Sequence, residues 1–241
     1  MLRETELVPY VSSEPIGERI LVFAPHPDDE TISMGGSLRI LSENGKKIKV
    51  TVLTKGEKAD PYTKDHQQYA EMRQKEALKA FEVLGVHDYV FLGFPDRELQ
   101  SNFVKVREES TRIVREFCPD TIYSPSPVEL HPDHRVAAEF ALTIKEEIPD
   151  TRLVFYEITT PIRPNVLVDI TKTFRYKKSA LKCYKSQLKI TDYLKLIEAL
   201  NTFRTFTLNR KAKTVEAFWE VGLIASKQDL RRWLTYEIPI C

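Results

Sequence analysis

The sequence predicts an α/β fold: a Rossmann-like, mostly parallel sheet with helices on both faces, followed by a mainly helical C-terminal extension. Strand-like and helix-like segments alternate four times with short connections, which is typical of parallel sheets. Segment 19–24 (RILVFA) is almost wholly apolar, as in a strand covered on both faces. No flexible linker divides the 241 residues. We therefore expect a single domain over 1–241, with the core at 19–170 and a basic extension at 171–241.

The individual elements follow from apolar periodicity and from turn residues. A short apolar run indicates a buried strand, and apolar residues at every third or fourth position indicate a helix face. Gly45 ends the first helix, Gly85 ends the second and Pro119 follows the third. The predicted strands are 19–24, 48–53, 89–92, 121–124, 153–156 and 166–170, with a further candidate at 217–221. The predicted helices are 34–43, 67–84, 104–117 and 135–148.

Composition argues against several classes of protein. The chain has 36 Lys and Arg residues, 35 Asp and Glu residues and a formal net charge of +1. A dedicated nucleic-acid binder would carry a basic excess, so we expect no nucleic-acid partner. The three cysteines are widely spaced, which favours reduced thiols in a cytoplasmic protein. No apolar run has the length of a signal peptide or a membrane span, so we expect no membrane span; a homo-oligomer is compatible with these features.

Two polar motifs follow predicted strands. Segment 25–30 (PHPDDE) comes directly after the first strand, and segment 131–134 (HPDH) comes a few residues after the fourth. Together they hold three of the five histidines. With the strand order 3-2-1-4-5, the first and fourth strands are neighbours at the topological switch point. Both motifs then face one crevice beyond the carboxyl ends of the strands.

Imidazole and carboxylate groups suit a divalent metal such as zinc, and three protein ligands plus water form the usual catalytic arrangement. Pro132 fits a first helical turn, so His131 lies near the N-cap and His134 one turn further on the same side. One of them then binds metal while the other faces substrate. The residues alone do not decide whether Asp28 or Asp29 is a ligand. Helix capping is the alternative for the acidic residues, but two motifs on neighbouring strands favour a metal site.

The motifs resemble those of the LmbE-like (PIG-L) de-N-acetylase family. The resemblance covers about residues 19–157 and includes Gly35-Gly36 and segment 92–96 (LGFPD) between the two motifs. Members of this family are zinc-dependent enzymes that remove acetyl groups from small molecules and glycolipids containing N-acetylglucosamine. The resemblance therefore implies a zinc-dependent N-deacetylase with a small-molecule N-acetyl sugar substrate. It leaves open the sugar conjugate and another divalent metal, such as iron.

The resemblance also implies roles for the metal-site residues. It implies zinc ligands at His26, Asp29 and His134, and a general base at Asp28. These roles agree with amide chemistry, because zinc polarises the carbonyl and activates water while a base takes the proton from that water.

The same resemblance implies that His131, with Asp133 oriented toward it, stabilises the tetrahedral intermediate or protonates the leaving amine. From the residues alone, the helix N-terminus opposes a charged His131 and Asp133 favours it, so its charge state stays open. Arg73 and Asp96 match family positions that contact the sugar.

The sequence departs from the family pattern at two positions. Arg97 stands where the family commonly has glycine after Pro-Asp, and Glu129 stands where some sugar deacetylases have tyrosine. Both positions are expected on loops that face the substrate, so the departures concern the choice of substrate.

Two other function classes compete with this interpretation. Two histidines and one carboxylate are also the ligand set of non-haem iron enzymes, although these usually have β-rich barrels. Metal content and oxygen dependence separate the two. A nucleotide or nucleic-acid binding module is disfavoured because no Gly-rich dinucleotide fingerprint accompanies Gly35-Gly36; a gel-shift assay tests that class.

The segment 172–213 is strongly basic, with twelve Lys and Arg residues against Asp192 and Glu198. One interpretation is a solvated helical face, because charge runs often need no partner. The other is that part of the segment borders the crevice and attracts a substrate with a phosphate or carboxylate group. The sequence leaves both open.

Overall fold

A computed structural model describes residues 8–222 of the chain. The strands are β1 (Arg19–Ala24), β2 (Lys47–Thr54), β3 (Asp88–Phe94), β4 (Thr121–Pro125), β5 (Arg152–Tyr156), β6 (Val166–Asp169) and β7 (Val215–Val221). The helices are α1 (Asp29–Glu43), α2 (His66–Leu84), α3 (Phe103–Phe117), α4 (Pro132–Glu147), α5 (Phe174–Leu181), α6 (Lys185–Leu188) and α7 (Tyr193–Phe203). Every predicted strand and helix within these residues is present, with ends that differ by a few residues.

The strands form one mostly parallel sheet in the order β3-β2-β1-β4-β5-β7-β6. β1 pairs in parallel with both β2 and β4, which confirms the predicted α/β fold and places the two motifs at neighbouring strand ends. β7 lies between β5 and β6 and runs antiparallel to both. The C-terminal candidate strand is therefore part of the same sheet.

The sheet has a hydrophobic core on each face. Along β1, Ile20 and Val22 pack into one cluster with α1, α2 and α5, whereas Leu21 and Phe23 pack into the other with α3 and α4. All four side chains are fully buried, as expected of a central strand covered by helices on both faces. Within residues 8–222, no helix has the length and apolar character that crossing a membrane requires.

Two helices begin inside the polar motifs, earlier than the periodicity predicts. α1 starts at Asp29 rather than at residue 34, because acidic side chains in a first turn interact favourably with the helix dipole. α4 starts at Pro132 rather than at residue 135, with His131 as its N-cap. Helix ends therefore hold Asp29 and His134 in place.

A buried ion pair supports α1 where the helix is kinked. Met34 has non-helical backbone angles (φ −132°, ψ 22°). Glu216 on β7 accepts hydrogen bonds from the main-chain N–H groups of Gly36 (2.9 Å) and Ser37 (2.8 Å). Lys177 on α5 lies 2.7 Å from Glu216, and both side chains are fully buried. The C-terminal part of the sheet thus fixes the position of α1.

Candidate active site

A cavity of about 200 Å³ lies at the carboxyl ends of the central strands. The two motifs meet there, as the strand order predicts. Of the eight residues to which the sequence gives a role, seven line the cavity: His26, Asp28, Asp29, Arg73, Asp96, His131 and His134. Asp133 lies beside it, in contact with His26.

Three donor atoms form a nearly equilateral triangle in this cavity. His26 Nδ1 lies 3.1 Å from Asp29 Oδ2 and 3.2 Å from His134 Nε2, and the latter two atoms are 3.2 Å apart. Tetrahedral zinc binds such donors at about 2.0–2.1 Å, which places the donors about 3.3 Å apart. The residues present therefore fit a divalent metal.

The charges around the triangle favour a cation at its centre. Burial disfavours a charged His134, yet the adjacent Asp29 carboxylate raises the pKa of His134 to about 9. Burial likewise opposes the ionisation of Asp29, but the facing His134 and His26 rings hold the pKa of that carboxyl well below its usual range. Two imidazole nitrogens that lie 3.2 Å apart need a proton or a metal ion between their lone pairs, and a divalent metal fits that position.

Two carboxylates orient the His26 ring. His26 Nε2 lies 3.1 Å from Asp96 Oδ1 and 3.3 Å from Asp133 Oδ2. A proton on Nε2 leaves Nδ1 free to bind metal, as in other carboxylate–histidine–metal arrangements. His26, Asp96, Asp133 and His131 form a second group of possible metal donors. However, the carboxylates of Asp96 and Asp133 already accept hydrogen bonds from main-chain N–H groups. The triangle is therefore the better metal site.

Asp28 lies outside the triangle and is held by an arginine from α2. Arg73 Nη2 is 2.9 Å from Asp28 Oδ2, and the guanidinium also donates to the carbonyls of Gly56 (2.9 Å) and Pro27 (2.7 Å). Burial raises the pKa of Asp28 to about 7, although Arg73 opposes the shift. A carboxyl group with such a pKa exchanges protons near neutral pH, as a general base requires. Arg73, implied as a sugar contact, is thus placed to position Asp28.

His131 is a neutral hydrogen-bond donor in this arrangement. Burial, followed by the charges of His26 and His134, lowers the pKa of His131 to about 4. Its Nδ1 accepts a hydrogen bond from the main-chain N–H of Asp133 (3.2 Å), so the neutral ring carries its proton on Nε2. Neither the helix N-terminus nor Asp133, the two effects weighed from the sequence, is the largest cause.

The Asp133 carboxylate binds the loop after β3. It accepts hydrogen bonds from the main-chain N–H groups of Arg97 (2.7 Å) and Leu99 (3.1 Å). Its side chain contacts His26, and it meets His131 through its main-chain N–H. Asp133 therefore fixes a wall of the cavity as well as one ring in it.

Glu129 does not line the cavity, although its loop was expected to face the substrate. It is 1% exposed and lies behind His134, with Oε2 3.6 Å from His134 Nδ1. It also accepts hydrogen bonds from Ile158 N and Thr159 Oγ1, both at 2.7 Å. Its carboxylate joins the loop after β5 to His134. No local sequence signal shows this link, since the hydrogen-bond partners of Glu129 in that loop lie about 30 residues further along the chain.

The C-terminal segment contributes neutral side chains to the cavity. Gln187, Ile190 and Tyr193 line it, and sequence analysis assigned no role to these individual residues. Two cations of the basic segment are instead buried in ion pairs, Lys177 with Glu216 and Arg204 with Glu157. In the described part of the basic segment, none of its lysines or arginines lines the cavity.

Comparison with known proteins identifies the family. The PIG-L family model, described as GlcNAc-PI de-N-acetylase, matches residues 21–145, more than half of the chain. A probable N-acetyl-α-D-glucosaminyl L-malate deacetylase 2 from Bacillus cereus is 29% identical, over 70% of this chain and 83% of that protein. The diacetylchitobiose deacetylase of Thermococcus kodakarensis is 28% identical, over 73% of each.

Solved structures share the fold. The N,N'-diacetylchitobiose deacetylase of Pyrococcus horikoshii aligns with a TM-score of 0.75 at 24% identity, covering 88% of each chain. The 4-carboxy-2-hydroxymuconate hydratase of Pseudomonas putida aligns with a TM-score of 0.67 at 19% identity, covering 86% of this chain and 98% of that one. One fold therefore serves different reactions, and the site decides between them. The family match confirms the resemblance drawn from the two motifs, and the chain belongs to the PIG-L family.

Proposed function

We propose that the protein is a metal-dependent N-deacetylase that hydrolyses the acetamide of an N-acetylglucosamine conjugate. The proposal depends chiefly on the donor triangle of His26, Asp29 and His134, which lies beside a carboxylate outside the triangle in one cavity. The names of two relatives, a malate-conjugate deacetylase and a chitobiose deacetylase, support the N-acetylglucosamine-type substrate.

Zinc is the metal we propose. When bound by the triangle, it would polarise the amide carbonyl and activate a water molecule. The nitrogen and oxygen donors suit zinc, and they also suit iron.

Asp28 is the proposed general base. Its carboxylate lines the cavity without being part of the donor triangle, and Arg73 fixes one of its oxygens at 2.9 Å. It would take the proton from the attacking water and pass it to the leaving amine. A positioned base of this kind contributes about 10²–10⁴-fold to the rate.

His131 is the proposed donor to the carbonyl oxygen. Its ring centroid lies 4.5 Å from that of His26 and 5.0 Å from that of His134, so it faces the same reacting group as the triangle. With Nδ1 occupied by the Asp133 N–H, its Nε2–H is the atom available to the oxyanion. Asp96 lines the same cavity and orients His26 while offering an acceptor near the sugar.

The test is amine release by protein loaded with zinc or with iron. N-acetylglucosamine, diacetylchitobiose and a malate conjugate of N-acetylglucosamine would be assayed in air and without oxygen. We expect primary amine to appear with at least one conjugate, equally with and without oxygen. A requirement for oxygen would favour the two-histidine, one-carboxylate iron enzyme, and no amine release from any conjugate would contradict the proposal.

A matched pair of variants links the activity to the triangle. His134→Ala should abolish amine release. His87→Ala should not, because that exposed histidine precedes β3 and is absent from the cavity lining.

A further inference from the structure

The Arg97 guanidinium places a positive charge at the cavity without an ion-pair partner among the described residues. The residue is exposed and lines the cavity, and its main-chain N–H is bound by Asp133 (2.7 Å). Among residues 8–222, no hydrogen bond or ion pair engages its guanidinium group. A group with five donors in a planar fork is therefore free to bind a ligand.

The backbone at Arg97 does not favour an arginine. Its φ of +65° is positive, which only two other non-glycine residues of the described chain share. Such a conformation is unfavourable for a residue with a Cβ, whereas glycine adopts it readily. Asp133 imposes the conformation by binding the N–H groups of Arg97 and Leu99. The contact with Asp133 needs only a main chain, so it does not explain the side chain; strained residues of this kind cluster at functional sites.

Other charged side chains near the cavity already have partners. Arg73 is paired with Asp28. Asp96 accepts a hydrogen bond from Lys58 N and contacts His26, while the Lys58 side chain is paired with Glu98 at 2.7 Å. Among the described residues that line the cavity, and apart from the histidines, Arg97 is therefore the one cation without a partner that an entering anionic group meets.

The size of the cavity indicates which part of a substrate Arg97 would meet. Its volume of about 200 Å³ is below the roughly 300–1,000 Å³ of pockets that enclose drug-sized ligands. The cavity thus takes a small unit, such as one sugar ring with its acetamide. The rest of a conjugate lies at the mouth, where the Arg97 side chain is exposed.

We propose that Arg97 is a specificity residue that selects conjugates carrying an anionic oxygen group, carboxylate or phosphate, next to the N-acetylglucosamine unit. This proposal depends on the proposed deacetylase function. A guanidinium pairs with either group through two parallel hydrogen bonds, which gives geometric selectivity that a lysine ammonium lacks.

The test compares substrates that differ in one charge. The carboxymethyl glycoside of N-acetylglucosamine and its neutral methyl ester share the acetamide, the ring and the linkage, and N-acetylglucosamine 1-phosphate provides a phosphate. We expect the wild-type protein to have a kcat/KM about ten-fold or more higher for the carboxylate than for its ester. The ratio should fall as salt increases, because salt screens an exposed charge pair.

Variants of Arg97 give the decisive readout, which is the ratio of the two kcat/KM values. Arg97→Asn tolerates the left-handed backbone and should bring the ratio close to one. Arg97→Lys keeps the charge but not the fork, so its ratio should be intermediate. Lys47→Asn removes the same charge at the start of β2, the end of the sheet opposite the cavity, and should keep the wild-type ratio.

A wild-type ratio in Arg97→Asn would overturn the proposal, as would wild-type kcat/KM values that are no higher for the carboxylate or for the 1-phosphate than for the ester. If neither glycoside releases amine, the proposed deacetylase function fails for these compounds, and calorimetric binding of the same pair still tests Arg97. Tighter binding of the carboxylate that is lost in Arg97→Asn would support the proposal, and equal affinities or no binding of either would overturn it. A preference confined to the 1-phosphate would assign phosphate as the recognised group.

Discussion

Gly56 packs against Arg73, so its replacement by alanine tests the proposed general base, Asp28, without changing that residue. Gly56 has a φ of +62°, and an added Cβ would lie 2.0 Å from Arg73 Nη1. The guanidinium must therefore shift, and we expect the shift to weaken its contact with Asp28, now at 2.9 Å. The donor triangle of His26, Asp29 and His134 contains neither residue, so Gly56→Ala should separate the proposed base from the proposed metal ligands.

The expected loss of stability has two parts. Alanine in a left-handed conformation costs about 1–2 kcal/mol of backbone strain. Leaving the buried Asp28 carboxylate without its charged donor costs about 1–3 kcal/mol more. The lower part of that range is favoured, because Asp28 has a pKa of about 7 and is neutralised by a proton at little cost. A base displaced by about 1 Å should also lower kcat by up to about 100-fold.

Gly45 provides the matched control. It has a φ of +69°, and an added Cβ would meet no atom within 4 Å. Gly45→Ala should therefore show the strain of about 1–2 kcal/mol alone, with unchanged kcat. The measurements are urea unfolding, metal content by mass spectrometry and amine-release kinetics. Equal stability and equal kcat in the two variants would refute the role of Arg73, and loss of metal from Gly56→Ala would show that Arg73 supports the ligands instead.

Three further predictions concern the metal, the base and the support of α1. His134→Ala should lose stoichiometric zinc, because two remaining ligands hold a catalytic metal poorly; full occupancy by elemental analysis would remove His134 from the ligand set. Asp28→Asn should keep the metal but lower kcat by at least about 100-fold, since an amide cannot accept the proton. Asp29→Asn should lose the metal, and the opposite pattern of metal content in the two variants would exchange the roles of Asp28 and Asp29. Glu216→Ala leaves the buried Lys177 without its acidic partner and should lower the free energy of unfolding, measured by urea titration, by about 3–5 kcal/mol. A change below about 0.5 kcal/mol, as at an ordinary surface site, would show that the ion pair does not support α1.

The strands and the position of the site could be predicted from the sequence because local rules govern them. An unbroken apolar run specifies β1, and glycines with positive φ at Gly45 and Gly85 end α1 and α2. Alternating strands and helices imply a parallel sheet, and a parallel sheet brings the residues that follow β1 and β4 together. Both polar motifs therefore meet where the chain order alone places them.

The exact start of α1 was harder to predict, because its first turn has no apolar periodicity and is separated by a kink from the rest of the helix. Segment 29–33 lacks a clear apolar stripe, and every one of its residues is buried. The non-helical angles at Met34 separate this first turn from the rest of the helix. Glu216, far away in the sequence, satisfies the N–H groups near the kink. The acidic first turn is a local signal for a helix start, but it does not show that the helix continues through the kink.

The partners of single side chains were decided only by the tertiary structure. The resemblance implied a sugar contact for Arg73, and α2 also places it against Asp28, 45 residues away in the sequence. The loop that carries Glu129 was expected to face substrate, whereas the loop after β5 buries the Glu129 side chain behind His134. By itself, the sequence determined the sheet, the two motifs and the edge of the sheet where they meet, because hydrophobic periodicity and chain order act locally. Only the tertiary structure decided which charge neutralises which, since a buried charge is stabilised by whichever group packing brings within hydrogen-bonding distance, regardless of its position in the chain.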